Sequence, residues 1–133
     1  MYQRAGTILV VEDEEDVRQL LIRSLHDLNL DIAEAADGEQ GLQAARRLGA
    51  SLRLVVTDIN MPVMSGIEFA REFRPIQPRV PILFITGVDS RTAALEADRL
   101  GAELLLKPFG PDLLVDTVTR VLDQTSLVTR SLA

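Results

Sequence analysis

Four short apolar runs in this chain end on polar side chains that could handle a charged ligand. Ile8 to Val11 is followed by Glu12 and Asp13, Leu52 to Thr57 by Asp58, Ile82 to Ile85 by Thr86, and Leu104 to Leu106 by Lys107. Lys107 is the single lysine beside thirteen arginines. At this one position the sequence uses a compact ammonium on a flexible stem in place of a planar guanidinium. Binding an anionic group at the end of a buried strand is one of the few chemical reasons for that choice; a solvated charge is the plain alternative. If the runs are parallel strands, their carboxyl ends share one edge, and Glu12, Asp13, Asp58 and Lys107 meet there with Thr86. Two unit charges about 4 Å apart repel by about 4 kcal/mol at an effective dielectric near 20, so three carboxylates need neutralising. Lys107 supplies one positive charge and a divalent cation would supply the rest. Oxygen ligands without histidine or cysteine favour magnesium, or manganese in its place, over zinc.

The elements between these residues alternate strand and helix. After Ile8 to Val11, the residues Val17, Leu20, Leu21, Ser24, Leu25 and Leu28 recur at helical spacing. Asp31 to Ala35 reads as a weak second strand, and Asp37-Gly38 opens a helix through Leu42, Ala45 and Leu48 that Gly49 ends. Leu52 to Thr57 is apolar almost throughout, as a central parallel strand covered on both faces must be. Ser65-Gly66 opens a third helix with Ile67, Ala70 and Phe73, which Pro75, Pro78 and Pro81 should terminate. Ile82 to Thr86 is the fourth strand. Ser90 should cap a fourth helix with Ala93, Ala94, Ala97 and Leu100 inward, Gly101 should close it, and Leu104 to Leu106 forms strand five. Leu113, Leu114, Val118, Val121 and Leu122 mark the last helix. Five βα units predict an α/β fold, a doubly wound parallel sheet with helices on both faces and strand order 2-1-3-4-5. In such sheets the site lies beyond the strands' carboxyl ends where the order reverses, here between strands one and three.

Composition narrows the function classes. The 133 residues suit one domain, and 47% hydrophobic with 26% charged residues is a globular composition. Absence of cysteine removes disulfides, thiolate zinc sites and cysteine nucleophiles. No apolar stretch approaches the roughly 20 residues that span a bilayer, and Met1 to Gly6 lacks a secretory hydrophobic region, so a cytoplasmic protein is expected. A formal charge of -6 with scattered arginines argues against direct nucleic-acid binding. Glu14, Glu15 and Asp16 fit an acidic first helical turn, whereas Glu12 and Asp13 come too early for it. His26 lies within helix one away from the site and receives no catalytic role. Met61 and Met64 read as packing residues.

The segments Ile8-Leu9-Val10-Val11-Glu12-Asp13-Glu14, Val55-Val56-Thr57-Asp58-Ile59-Asn60-Met61-Pro62 with Ser65-Gly66, Ile85-Thr86-Gly87, and Leu106-Lys107-Pro108-Phe109 together resemble the receiver domain of bacterial two-component response regulators, the chemotaxis-type receiver. One such segment is weak evidence; four in order, each closing a predicted strand, are specific. The resemblance covers residues 7–123, leaving 1–6 as an N-terminal extension and 124–133 as a C-terminal tail or the stump of a linker. The family's flavodoxin-like sheet has the 2-1-3-4-5 order, so that order is not independently predicted.

The resemblance implies that Asp58 accepts a phosphoryl group from a sensor histidine kinase or phosphotransfer protein. It implies that Glu12, Asp13, Asp58 and the backbone carbonyl of Asn60 hold Mg²⁺, and that Thr86 and Lys107 contact the phosphoryl oxygens. The face of helix four, strand five and helix five would then signal to a downstream protein or an output domain, or form a phosphorylation-dependent homodimer. The chain would not be an enzyme in the ordinary sense, although it could catalyse its own phosphorylation from small donors and its own dephosphorylation. A Mg²⁺-dependent phosphohydrolase with an aspartate nucleophile is one alternative, but the common pattern needs an acid two positions after the nucleophile, where this chain has Asn60. A pseudo-receiver that binds without chemistry is another, and the intact acidic set argues against it. Nucleotide or flavin binding is weaker still, because no glycine-rich loop follows strand one. One departure matters: the family usually carries tyrosine or phenylalanine three residues before the lysine, and this chain has Leu104. Leucine cannot flip as an aromatic switch does, so phosphorylation is predicted to be transmitted by loop movement or altered self-association. Structures with and without beryllofluoride should show this; an unchanged loop from Thr86 to Asp89 with unchanged association would refute it.

Overall fold

A computed structural model describes residues 6–87 and 91–132, with side chains in the final helix described as far as Gln124. Strands β1 (Thr7–Val11), β2 (Asp31–Ala35), β3 (Leu52–Asp58), β4 (Ile82–Thr86) and β5 (Glu103–Leu106) alternate with helices α1 (Glu15–Leu25), α2 (Gly38–Leu48), α3 (Gly66–Ile76), α4 (Arg91–Arg99) and α5 (Pro111–Leu132). All pairings are parallel and the strand order is β2-β1-β3-β4-β5, the order that the resemblance implies.

Because successive strand residues face opposite sides, each apolar strand feeds two cores. Leu9, Val11, Val55 and Phe84 pack with Leu42, Ala45, Phe69, Phe73, Ala93 and Ala97, so α2, α3 and α4 cover one face. Ile8, Val10, Leu54, Val56, Leu83 and Ile85 pack with Leu21, Leu25, Leu114, Val118 and Leu122, so α1 and α5 cover the other. Every residue of β1 and β4 is buried, whereas the edge strand β2 is largely open, which accounts for its weaker apolar signature.

Helix ends follow local chemistry. Asp37 caps α2 by accepting from the Gln40 N–H at 2.8 Å, and Gly49 ends it at φ +53°, a conformation glycine adopts without steric cost. Ser65 and Glu68 form a reciprocal capping box on α3. Several expectations need correction. Helix α3 runs through Pro75 to Ile76, because a proline in the final turn gives up only its own amide, and the Gln77 N–H still reaches the Phe73 carbonyl at 3.0 Å. Ala94 faces solvent, since it falls between the buried positions Ala93 and Ala97 of its helix. His26 belongs to a short 3-10 turn after α1. Helix α5 extends to Leu132, well past the last apolar position that marks it in the sequence. The proposed Ser90 cap lies outside the described residues. Among the described residues no helix is long and apolar enough to cross a membrane.

The start of α3 is pressed against the end of β3. The Gly66 N–H donates to the Ile59 carbonyl at 2.8 Å, and a Cβ on Gly66 would fall 2.0 Å from the Asp58 carbonyl oxygen. The backbone cannot yield that distance without moving Asp58. Gly66→Ala is therefore expected to cost about 2–3 kcal/mol, within the range for overpacking. Urea denaturation reads it, and an unchanged midpoint would contradict the close approach.

Candidate functional site

Glu12 follows β1 and stays tied to the sheet, its N–H donating to the Ala35 carbonyl at 3.0 Å. Asp58 is the last residue of β3, and the next residue, Ile59, donates to the Ile85 carbonyl at 3.0 Å. Thr86 ends β4 and is 1% exposed; its carbonyl accepts the Lys107 N–H at 2.8 Å, which aligns the ends of β4 and β5. The Lys107–Pro108 peptide is cis. Parallel strands thus deliver the predicted residues to one edge.

The side chains converge. One carboxylate oxygen from each of Glu12, Asp13 and Asp58 lies within 4.8 Å of the others. Lys107 Nζ is 3.1 Å from Asp58 Oδ2 and 4.0 Å from Glu12 Oε1. The Asn60 N–H donates to Asp58 Oδ1 at 3.0 Å, and the Asp13 N–H to Glu12 Oε2 at 2.9 Å. Glu12 is 1% exposed and Asp58 7%. Removal from water pushes the Glu12 carboxyl from 4.5 up to about 8, reinforced by the Asp58 charge and by hydrogen bonds with Asp13 and Asp58, against the opposing pull of Lys107. One ammonium therefore does not balance the cluster: without more positive charge, Glu12 keeps a proton at neutral pH. Three hard oxygen donors short of positive charge are the chemistry that suits a divalent cation of the magnesium type.

Sequence reasoning missed two residues here. The sequence marks Gly66 only as a helix start, without its contact with Asp58. Arg18 had no signal at all: its guanidinium donates to the Glu12 carbonyl at 2.9 Å from across the loop. His26 takes no part in the acidic cluster. Met61 is buried in the core and Met64 packs against it, as expected of filling residues. Leu104 packs on the α4 side of the sheet beside Leu100 and Ala102. An apolar groove of about 300 Å³, lined by Val17, Leu20 and Leu21 of α1 and by Pro108, Phe109 and Leu114, opens next to Lys107. A larger hollow of about 540 Å³, walled by Arg74, Arg79 and Arg99, lies at the other end of β4 and touches none of the site residues.

This edge and this fold define a receiver domain. The family model for the response regulator receiver domain matches residues 8–119, and the chain belongs to that family, the receiver domain of two-component response regulators. It is 35% identical over 123 residues to the sensor kinase CckA of Brucella abortus, covering 90% of this chain and 13% of that protein. It is 34% identical over 117 residues to Protein CcdB of Bacillus subtilis, covering 86% of this chain and 96% of that one. Among solved structures, chemotaxis protein CheY4 of Vibrio cholerae superposes with a TM-score of 0.80 at 34% identity, over 87% of this chain and 98% of that one. The chain spans 46% to 52% of the length of the transcriptional regulators it also matches. Receiver domains are signalling modules, not enzymes in the ordinary sense.

The raised Glu12 carboxyl makes stability depend on pH. Its folded value of about 8 exceeds 4.5, so folding takes up a proton between the two. The resulting stabilisation is fully present below 4.5 and is lost as pH rises through about 8. In chelator, the melting temperature of the wild type relative to Glu12→Gln should fall across this window. A constant difference would show that Glu12 is already ionised in the folded protein.

Proposed function

We propose that this chain is the phosphoacceptor of a two-component signalling pathway, with Asp58 receiving a phosphoryl group from a phosphohistidine of a sensor kinase or phosphotransfer protein. The observation that carries the reading is the Lys107 ammonium set 3.1 Å from Asp58 Oδ2 inside an acidic cluster. A carboxylate oxygen of Asp58 attacks phosphorus as the histidine N–P bond breaks; the imidazole keeps that electron pair, and Asp58 becomes an acyl phosphate. Lys107 shifts its contact from the carboxylate to the phosphoryl oxygens, and the Thr86 hydroxyl at the neighbouring strand end takes another. Glu12, Asp13, Asp58 and the Asn60 carbonyl would hold Mg²⁺, or Mn²⁺ in its place, which supplies further positive charge against the phosphoryl oxygens. Asn60 brings no acid to protonate a leaving group, which disfavours a general phosphohydrolase; slow self-dephosphorylation remains part of the proposal.

The surroundings support two partner surfaces. The groove beside Lys107 offers apolar walls to a donor protein that must bring its phosphohistidine to Asp58. On the other flank, Leu95 of α4, Leu106 of β5 and Leu113 of α5 are exposed, a face suited to a downstream protein, an output domain or a second phosphorylated copy. We assign the receiver to residues 7–123, place the protein in the cytoplasm, and read 124–133 as a tail or linker. With Leu104 half-buried against the core on the α4 side of the sheet, movement of the β4–α4 loop carries the signal without an aromatic flip.

Acetyl phosphate with Mg²⁺ should add one labile phosphoryl group to the wild type, seen by intact-protein mass spectrometry, and none to Asp58→Asn. Leu20, 56% exposed on the groove wall, allows the donor surface to be tested apart from the chemistry. Leu20→Arg should slow transfer from a kinase competent on the wild type by about tenfold or more, about 1.4 kcal/mol, while acetyl phosphate labelling is unchanged. Equal labelling of Asp58→Asn would sink the reading.

A further inference from the structure

Glu12 lies one residue past β1, where the sheet ladder gives out and a chain end carrying two acidic residues turns toward α1. Its N–H is held by the Ala35 carbonyl of β2 at 3.0 Å. Its carbonyl is held by a side chain: Arg18 Nη1 donates to it at 2.9 Å. Arg18 stands in the first turns of α1, and its side chain is only 12% exposed, low for a guanidinium. Its Nε donates to Glu34 Oε1 at 2.8 Å, and Gln19 Nε2 donates to that same oxygen at 3.2 Å. Glu34 and Ala35 are consecutive residues of β2. A closed circuit results: β2 backbone to the Glu12 N–H, the Glu12 carbonyl to Arg18, and Arg18 back to β2 through Glu34.

That circuit fixes the direction in which the chain leaves β1, and with it the aim of Glu12 and Asp13. The loop needs such a restraint because Glu12, 1% exposed, is held out of water beside Asp58 with the one ammonium 4.0 Å away. Left alone, the cost of burying these polar groups favours swinging the loop outward, where both acids regain water. We propose that Arg18 is a positioning residue for the metal ligands, setting the site's affinity for Mg²⁺ by locking the Glu12 carbonyl between α1 and β2. The guanidinium fork is suited to this, because two of its nitrogens serve two acceptors at once and an ammonium has no such fixed geometry. Glu34 acts through Arg18 as its orienting partner. This rests on the metal-binding reading above.

A plain helix-to-sheet staple would affect stability alone, so the test separates affinity from both folding and rate. Mg²⁺ is titrated by calorimetry into the full chain and into Arg18→Ala, Arg18→Lys and Glu34→Gln, and the Mg²⁺ dependence of acetyl phosphate labelling is measured beside it. Arg18→Ala should raise the Mg²⁺ Kd about tenfold, as loss of a ligand-orienting partner typically does. The Mg²⁺ concentration for half-maximal labelling should rise by the same factor, with the rate at saturating Mg²⁺ unchanged. Arg18→Lys and Glu34→Gln should fall between the wild type and Arg18→Ala, and they carry the test if Arg18→Ala does not fold. An unchanged Kd in the folded variants overturns the proposal, whatever their melting temperatures. A saturated rate that falls by the same factor also overturns it, by placing Arg18 in the transfer step. A wild type that binds no Mg²⁺ fails differently, by removing the metal-binding reading itself.

Discussion

At the carboxyl edge of this sheet a single ammonium faces three carboxylates, two of them on residues almost wholly withdrawn from water. Buried carboxylates stay ionised only when partners replace the lost hydration. Lys107 lies 3.1 Å from Asp58 Oδ2, but from 4.0 Å it leaves the Glu12 carboxyl pushed up to about 8. The cluster is therefore built with a deficit of positive charge. Side chains on loose loops would relieve that deficit by moving apart. Here Glu12 and Asp58 close strands packed on both faces, so the deficit is held in place and becomes affinity for whatever cation or proton can enter.

Much of this was legible in the chain because parallel strands buried on both faces leave an unmistakable record. β1 and β4 are largely apolar runs, β3 is apolar apart from Arg53 and Thr57, and each stops where a polar residue meets the open edge. Gly49 and Gly101 mark helix ends where φ is positive. Once five parallel units are granted, residues 46 positions apart, such as Glu12 and Asp58, must share an edge. The convergence of Glu12, Asp13, Asp58 and Lys107 followed from topology, with no knowledge of any contact.

What stayed hidden depends on facing and on long-range geometry. Arg18 reads as one more cation on an amphipathic helix; only the fold shows that its guanidinium reaches a carbonyl six residues back and an acid on an edge strand. Pro75 was read as a stop because proline breaks helix interiors, but the last turn has few amide bonds left to lose. Apolar character alone points Ala94 inward, yet alanine is indifferent to burial. The contact between Gly66 and Asp58 could not be read from the local sequence, because it is set by how closely α3 returns onto β3.

The strand order gives the lone lysine a mechanical meaning. Lys107 follows β5, Asp58 ends β3, and β4 runs between them. Neighbouring strands are spaced about 4.8 Å apart, so about 10 Å of sheet separates the two backbones. Asp58 is level with Ile85, and Ile85 with Leu105, so the lysine starts two residues further out and reaches back across the tip of β4. Its four-carbon stem works as a tendon strung over the middle strand and anchored on the edge strand. A pull at its charged end would be delivered sideways, to the outermost strand.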